Sequence, residues 1–312
     1  MPIHRRRSHC FCLTAILALA CETPPSTATQ RLVKPPPRPV ERQAKRGPPG
    51  TYNLRGTPLQ GHTRRTALSF ELEAAQLTAK AGPYTFTGTM TLSGQTTDEL
   101  EIHVVEEGLI RSGRLSHVLD KTTSTMRMNL PDGTVETETE EEFGELHGRT
   151  EIIDFTAGRW TRKLVGASPS AELAGDLEEA PIEDASYPAA IKLGESWMVT
   201  GPELRRWLGS GFTATTGQIM STLTKVEAFP AETIVTIESA GEFGGTMRDE
   251  NGDLAFTMKL KVTERRSLER ALEIEGSGQG TLEISGAYVE DRLPTSLSMA
   301  GPITIKTKGA LY

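Results

Sequence analysis

The residues that could do chemistry are few and scattered. The chain has three cysteines, Cys10, Cys12 and Cys21, and no thiol after residue 21. That excludes disulfides, thiolate zinc sites and a cysteine nucleophile from everything beyond Cys21. The later histidines are His62, His103, His117 and His147, and no two stand three or four residues apart, as a helical metal site requires. No Gly-x-Ser-x-Gly elbow occurs, so the commonest exported serine hydrolase signature is missing. The run from Gly301 to Thr307 begins like a phosphate loop but lacks its second glycine and falls in a strand pattern. Gly276, Gly278 and Gly280 are too closely spaced for a dinucleotide fingerprint and read as a flexible turn or bulge between strands. Asp249, Asn251 and Asp253 imitate the first calcium ligands of an EF-hand, but Leu254 stands where that loop needs glycine, so turn chemistry explains them better. These residues imply no catalytic group, no cofactor and no metal.

Two further sets are ambiguous by type alone. Glu136, Glu138, Glu140 and Glu142 project from one face of a strand. They could hold a cation or a cationic surface, but a solvated face that resists edge pairing is the better reading. Trp160, Trp197 and Trp207 could line an apolar pocket, and in a chain with 5% aromatics they read first as core anchors.

Cys21 stands apart because of what precedes it. Arg5, Arg6 and Arg7 form a basic stretch, Phe11 to Ala20 an apolar one, and small Ala20 precedes the candidate cut, which is the order of a secretory signal. Ten apolar residues cannot span a bilayer core, which needs about 20. A cysteine directly after Leu17-Ala18-Leu19-Ala20 resembles the lipobox of bacterial lipoproteins. The usual Leu three before the cysteine is replaced here by Ala18, with leucines on either side. The resemblance implies that residues 1–20 are removed and that Cys21 takes a thioether-linked diacylglycerol and an N-acyl chain such as palmitate. Two or three acyl chains give stable attachment where one is marginal. It also implies a bacterial cell-envelope location. Glu22 is not the aspartate that tends to retain this class at the inner membrane, so the outer membrane is expected, with the body periplasmic or surface-exposed.

Residues 21–50 then read as a lipidated tether. Prolines cluster at 24–25, 35–37, 39 and 48–49, apolar side chains are few, and such composition favours extended polyproline conformation over a core. Fully extended at about 3.1 Å per residue, this stretch reaches roughly 90 Å. Overall charge is −7, but residues 22–50 carry six basic and two acidic residues while 51–312 carry 25 basic and 39 acidic. The acidic body argues against nucleic acid as a partner. The basic tether suits anionic head groups beside a lipid anchor, or serves solubility alone.

The body announces strands by alternation. Leu68, Phe70 and Leu72 alternate with Ser69, Glu71 and Glu73, and Leu254 to Val262 do so without a break. One apolar face per strand favours antiparallel pairing, since parallel strands buried on both faces read as continuous apolar runs. Pro131-Asp132-Gly133 and Asn251-Gly252-Asp253 supply hairpin turns. Further strands are expected at 149–156, 158–165, 215–228, 231–239, 266–275, 280–285 and 295–307, with short helices at Pro169–Glu178 and Pro202–Leu208. The expected fold is all-β, predominantly antiparallel, a sandwich or half-barrel over residues 51–312, in two halves of about 51–165 and 187–312 joined by a linker or loop.

Tyr187-Pro188-Ala189-Ala190-Ile191-Lys192-Leu193-Gly194-Glu195-Ser196-Trp197 places a Pro, a short apolar strand and Gly-Glu-Ser-Trp at mid-chain. This is similar to a family of secreted bacterial lipoproteins with a β-rich domain of unknown function, a resemblance that implies a β fold and no chemistry. The expected role is a non-enzymatic envelope lipoprotein, held to the membrane by its N-terminal lipid, that presents its body for binding or scaffolding to a protein partner. The alternative is a carrier that holds a lipid or other apolar ligand in a curved sheet.

Overall fold

Period-2 alternation sustained over strands of 16 to 23 residues has one physical outcome, a sheet with a single apolar face. A computed structural model describes residues 50–130, 133–156, 159–166, 168, 187–201, 204, 212–249, 252–290 and 293–312. The first half supplies β2 (Thr63–Ala81), β3 (Tyr84–Glu106), β4 (Leu109–Asn129), β5 (Val135–Phe143), β6 (Arg149–Thr156) and β7 (Arg159–Leu164). The second supplies β9 (Ser196–Thr200), β10 (Phe212–Ala228), β11 (Thr233–Asp249), β12 (Gly252–Ser267), β13 (Leu272–Glu290) and β14 (Leu293–Leu311). Two short strands, β1 (Thr51–Tyr52) and β8 (Ile191–Lys192), pair separately.

All twelve long-sheet strands join in the order β7-β6-β4-β3-β2-β14-β13-β12-β11-β10-β9, with β5 beside β4, and every pairing is antiparallel. The fold is therefore all-β. The two chain halves meet where β2 hydrogen-bonds to β14, the last strand. Hairpins make the rest. Glu107 and Gly108 both have positive φ between β3 and β4, as a two-residue primed turn requires. Gly133 takes positive φ in the turn between β4 and β5.

β5 and β6 run in the same direction along one edge of β4, separated by Gly144–Gly148, so they are one long strand with a five-residue interruption. A second irregularity sits at Pro302. Proline cannot donate to the ladder, and the β14–β2 register shifts between Ala300 and Ile303 opposite the shift between Leu72 and Ala75.

Two expectations are corrected. Residues 266–275 are not a strand, because β12 ends at Ser267 and the chain reverses through Ala271, which has positive φ, before β13 begins at Leu272. The glycines at 276, 278 and 280 are not a turn or bulge either. They lie inside β13, paired to β12 on one side and β14 on the other. Glycine weakens a strand, but ladder bonds on both edges hold this one straight. The expected helices fall largely outside the described residues; within them, Leu204 is buried.

Inward positions form the main core, with Leu72, Leu92, Leu282, Ile284, Met299 and Ile303 essentially buried. Gly94 on β3 has no side chain because the Phe70 ring lies against it. Phe243 and Phe256 meet edge to face at 6.4 Å. Outward positions are charged, among them Glu71, Lys259, Lys261 and Glu283, all exposed. A smaller core of Leu54, Ile191, Leu223, Val235 and Ile237 lies beneath the β1–β8 pair. No helix among the described residues is long and apolar enough to cross a membrane.

Candidate functional site

The core is incomplete beside part of the glycine row in β13. Gly276, Gly278 and Gly280 alternate with Ser277 and Gln279, so three successive inward positions carry no side chain. Beside Gly276 and Gly278 lies a cavity of about 280 Å³. Its apolar wall includes Leu68 and Phe70 of β2, Ile219 of β10, Phe243 of β11, and Met258 and Leu260 of β12. β2 and β10 are five places apart in the sheet. Flat, at roughly 4.8 Å per strand, they would stand about 24 Å apart, so one small cavity reaches both only because the sheet curls around it.

The cavity has a polar end. Glu264, Glu273, Thr307 and Tyr187 border it there. The Tyr187 hydroxyl donates to Glu264 Oε2 at 2.7 Å, and the Thr307 hydroxyl donates to Glu273 Oε1. Arg266, buried, stacks 4.4 Å over the Tyr187 ring and donates from Nε to the Leu54 carbonyl at 2.7 Å. These contacts pin the segment before β8 onto the strands below it.

The Gly-Glu-Ser-Trp stretch has a structural explanation. Gly194 takes positive φ, and the Lys192 N–H donates to Glu195 Oε2 at 2.9 Å, turning the chain from β8 into β9. Trp197 packs against both the main core and the smaller one, with Tyr187 6.4 Å away. It is a core anchor. The side chains of Trp160 and Trp207 lie outside the described residues, as does Cys21.

A second constellation occupies the other half of the inward face. His117 Nδ1 stands 2.9 Å from Asp98 Oδ1, and its Nε2 stands 2.8 Å from Glu151 Oε1. Arg162 donates from Nε to Glu151 Oε2 at 2.8 Å and from Nη2 to Oε1 at 3.1 Å. The four residues come from β3, β4, β6 and β7, and all are buried. Burial works against an imidazolium, but hydrogen bonds to Asp98 and Glu151 and their negative charges win and push His117 up to about 10. Burial likewise opposes ionised Glu151, yet His117 and Arg162 hold it below the ordinary range. With both ring nitrogens donating, the imidazolium cannot accept a proton at neutral pH. It is a charged clamp across four strands, not a general base. Asp120, nearby, is raised by burial against the opposing charges of His117 and His147.

Sequence alone did not single out this network, although Asp98 shares the inward parity of Leu100 and Ile102. A carboxylate in an apolar register was the available signal. The remaining histidines do not join it: His62 touches the Gln60 carbonyl, exposed His103 lies 3.5 Å from Glu101, and His147 rests on the Phe143 ring. Among the described residues no group of three or more histidines and carboxylates is arranged to hold a metal ion. The expected solvated face is corrected: Glu136, Glu138, Glu140 and Glu142 stand in register with Met128, Met126, Ser124 and Thr122, on the inward side of β4, the first two exposed and the last two half-buried, while Val135, Thr137, Thr139 and Phe143 on the other face of β5 are exposed. Asp249 pairs in register with Gly252, and Asp253 with Arg248, at the closing end of the β11–β12 hairpin.

Neither a family model nor a curated protein matches the chain. Among solved structures, an outer membrane channel from Pseudomonas putida F1 aligns over 81% of this chain and 97% of its own, at 9% identity and a TM-score of 0.17, which carries no argument.

Proposed function

We propose that this chain is a cell-envelope lipoprotein, anchored through acylated Cys21 and spaced from the membrane by residues 22–50, whose body binds a small apolar ligand without transforming it. The observation that carries the binding reading is the cavity of about 280 Å³ on the inward face, near the lower size limit of small-molecule sites. A sheet meant only as a scaffold gains nothing from an unfilled inward space, since unfilled core volume costs stability. The curled sheet with its apolar inside favours the carrier reading over scaffolding.

Native mass spectrometry of the full chain extracted from its own membranes tests this. A bound apolar molecule of defined mass is expected, and its loss when Val262, which adjoins Gly278, is changed to Phe. A ligand-free protein that also binds no apolar fluorescent probe overturns the reading. The anchor has a separate test. Cys21→Ala is expected to abolish incorporation of an alkyne-labelled palmitate and to release the protein from the membrane fraction; labelling and retention unchanged in that variant overturn it.

A further inference from the structure

Residues 51–56, the first stretch of the body, are fastened at the cavity's polar end by side-chain chemistry. β1 pairs with β8 through Thr51 with Lys192 and Tyr52 with Ile191, and this pair forms a sheet of its own beside the twelve-stranded one. Next to it the Leu54 N–H donates to the Pro188 carbonyl at 3.2 Å and Arg55 Nε to the Tyr187 carbonyl at 2.7 Å, so residues 51–56 and 187–192 hold each other. One side chain of the main sheet grips both. Arg266 on β12, buried, donates from Nε to the Leu54 carbonyl at 2.7 Å and from Nη2 to the Arg55 carbonyl at 3.2 Å, and its guanidinium lies 4.4 Å over the Tyr187 ring. Tyr187 in turn lines the cavity and donates its hydroxyl to Glu264, a second lining residue. Tyr187 cannot leave that wall without disturbing the Arg266 stack and the Arg55 bond.

We propose that residues 51–56 and 187–192 are a strap that closes the cavity and lifts as a unit when ligand passes, with Arg266 as its latch and Tyr187 as the closing side chain. The inference rests on the binding reading above. Charge-assisted bonds from one guanidinium to two carbonyls give the docked strap a defined geometry. Lifting it breaks those bonds and uncovers the smaller core around Leu54, yet leaves every ladder bond of the twelve strands in place, as a local opening requires. The strap starts where the tether of residues 21–50 ends, which sets the opening beside the chain's path to the anchor.

The test is stopped-flow binding of the fluorescent probe N-phenyl-1-naphthylamine to the full chain. A strap that must lift for the probe to pass limits entry and exit alike, so loosening the latch speeds both, whereas damage to a fixed wall speeds exit alone. Arg266→Gln is expected to raise the association and release rates about tenfold or more, because hydrogen bonds from a charged group carry the hold. Tyr187→Phe keeps the ring, loses the bond to Glu264 and should raise both rates about threefold. Should Arg266→Gln fail to fold, Arg55→Ala, at an exposed residue, removes the bond to the Tyr187 carbonyl and should likewise raise both about threefold. Faster release with association unchanged, or neither rate changed, sinks the strap while the cavity reading stands. A probe signal that is absent, or that Val262→Phe leaves intact, removes the binding reading and the strap together.

Discussion

The two halves of one inward face solve the same packing problem in opposite ways. Around β3, β4, β6 and β7 the face is filled with Asp98, His117, Glu151 and Arg162, four charges that neutralise one another. Around β12, β13 and β14 the face carries glycines at 276, 278 and 280, and a cavity lies beside the first two. The first arrangement is rigid because removing any member strands a buried charge. The second is looser because Glu264 and Glu273 stand at one end of the cavity and most of its wall is apolar.

The contrast is broken most severely at Glu151. Glu151→Ala leaves Arg162 and His117 buried without their common partner, and a loss of about 3–5 kcal/mol is expected in urea denaturation. Val262→Phe on the other side should lower probe affinity tenfold or more at a stability cost of only about 1–3 kcal/mol. If both variants lose stability equally and binding equally, the division of labour fails.

A milder probe is pH. His117 is raised above its ordinary 6.5 to about 10, so its contribution is complete below pH 6.5 and is lost as pH climbs toward 10. Glu151 is lowered, so its contribution is present above its ordinary value near 4.5 and fades as pH falls below it. Thermal stability should decline from pH 6.5 to 10, and His117→Gln should flatten that slope relative to the unmodified chain. Probe binding by the folded protein should not follow the same titration. The smallest effect is expected from Gly278→Ala. The added methyl would lie 3.1 Å from Val262 Cγ2 and 3.3 Å from the Lys261 carbonyl oxygen, tight contacts that a shift of a few tenths of an ångström relieves. Affinity should fall a few-fold and stability change by less than about 1 kcal/mol. Unchanged affinity would move the ligand away from β13.

Much of the architecture was legible because alternation is a local property. Arg149–Thr156 begins and ends where the sequence pattern places it, and Gly133 takes the positive φ expected of the turn between β4 and β5. The glycine run misled because glycine's local preference is for turns, while ladder partners on both edges of β13 override it. His117 was visible as a histidine and nothing more. Its partners are 19 and 34 residues away, and only strand pairing shows that one carboxylate serves both the imidazole and Arg162.

By itself the sequence determined which side of each strand is apolar, that the body is acidic and free of thiols, and that Cys21 is the position where lipid chemistry is expected. These follow from residue identity and a period of two, which need no partner strand. Tertiary structure decided what those faces enclose. The β2–β14 pairing that joins the two halves links residues more than 200 apart, and the curl that brings β2 and β10 to one cavity belongs to the whole sheet. The cavity and the charge clamp both depend on which strands lie side by side. Side-chain alternation fixes the face a residue occupies, and only long-range hydrogen bonding fixes its neighbours.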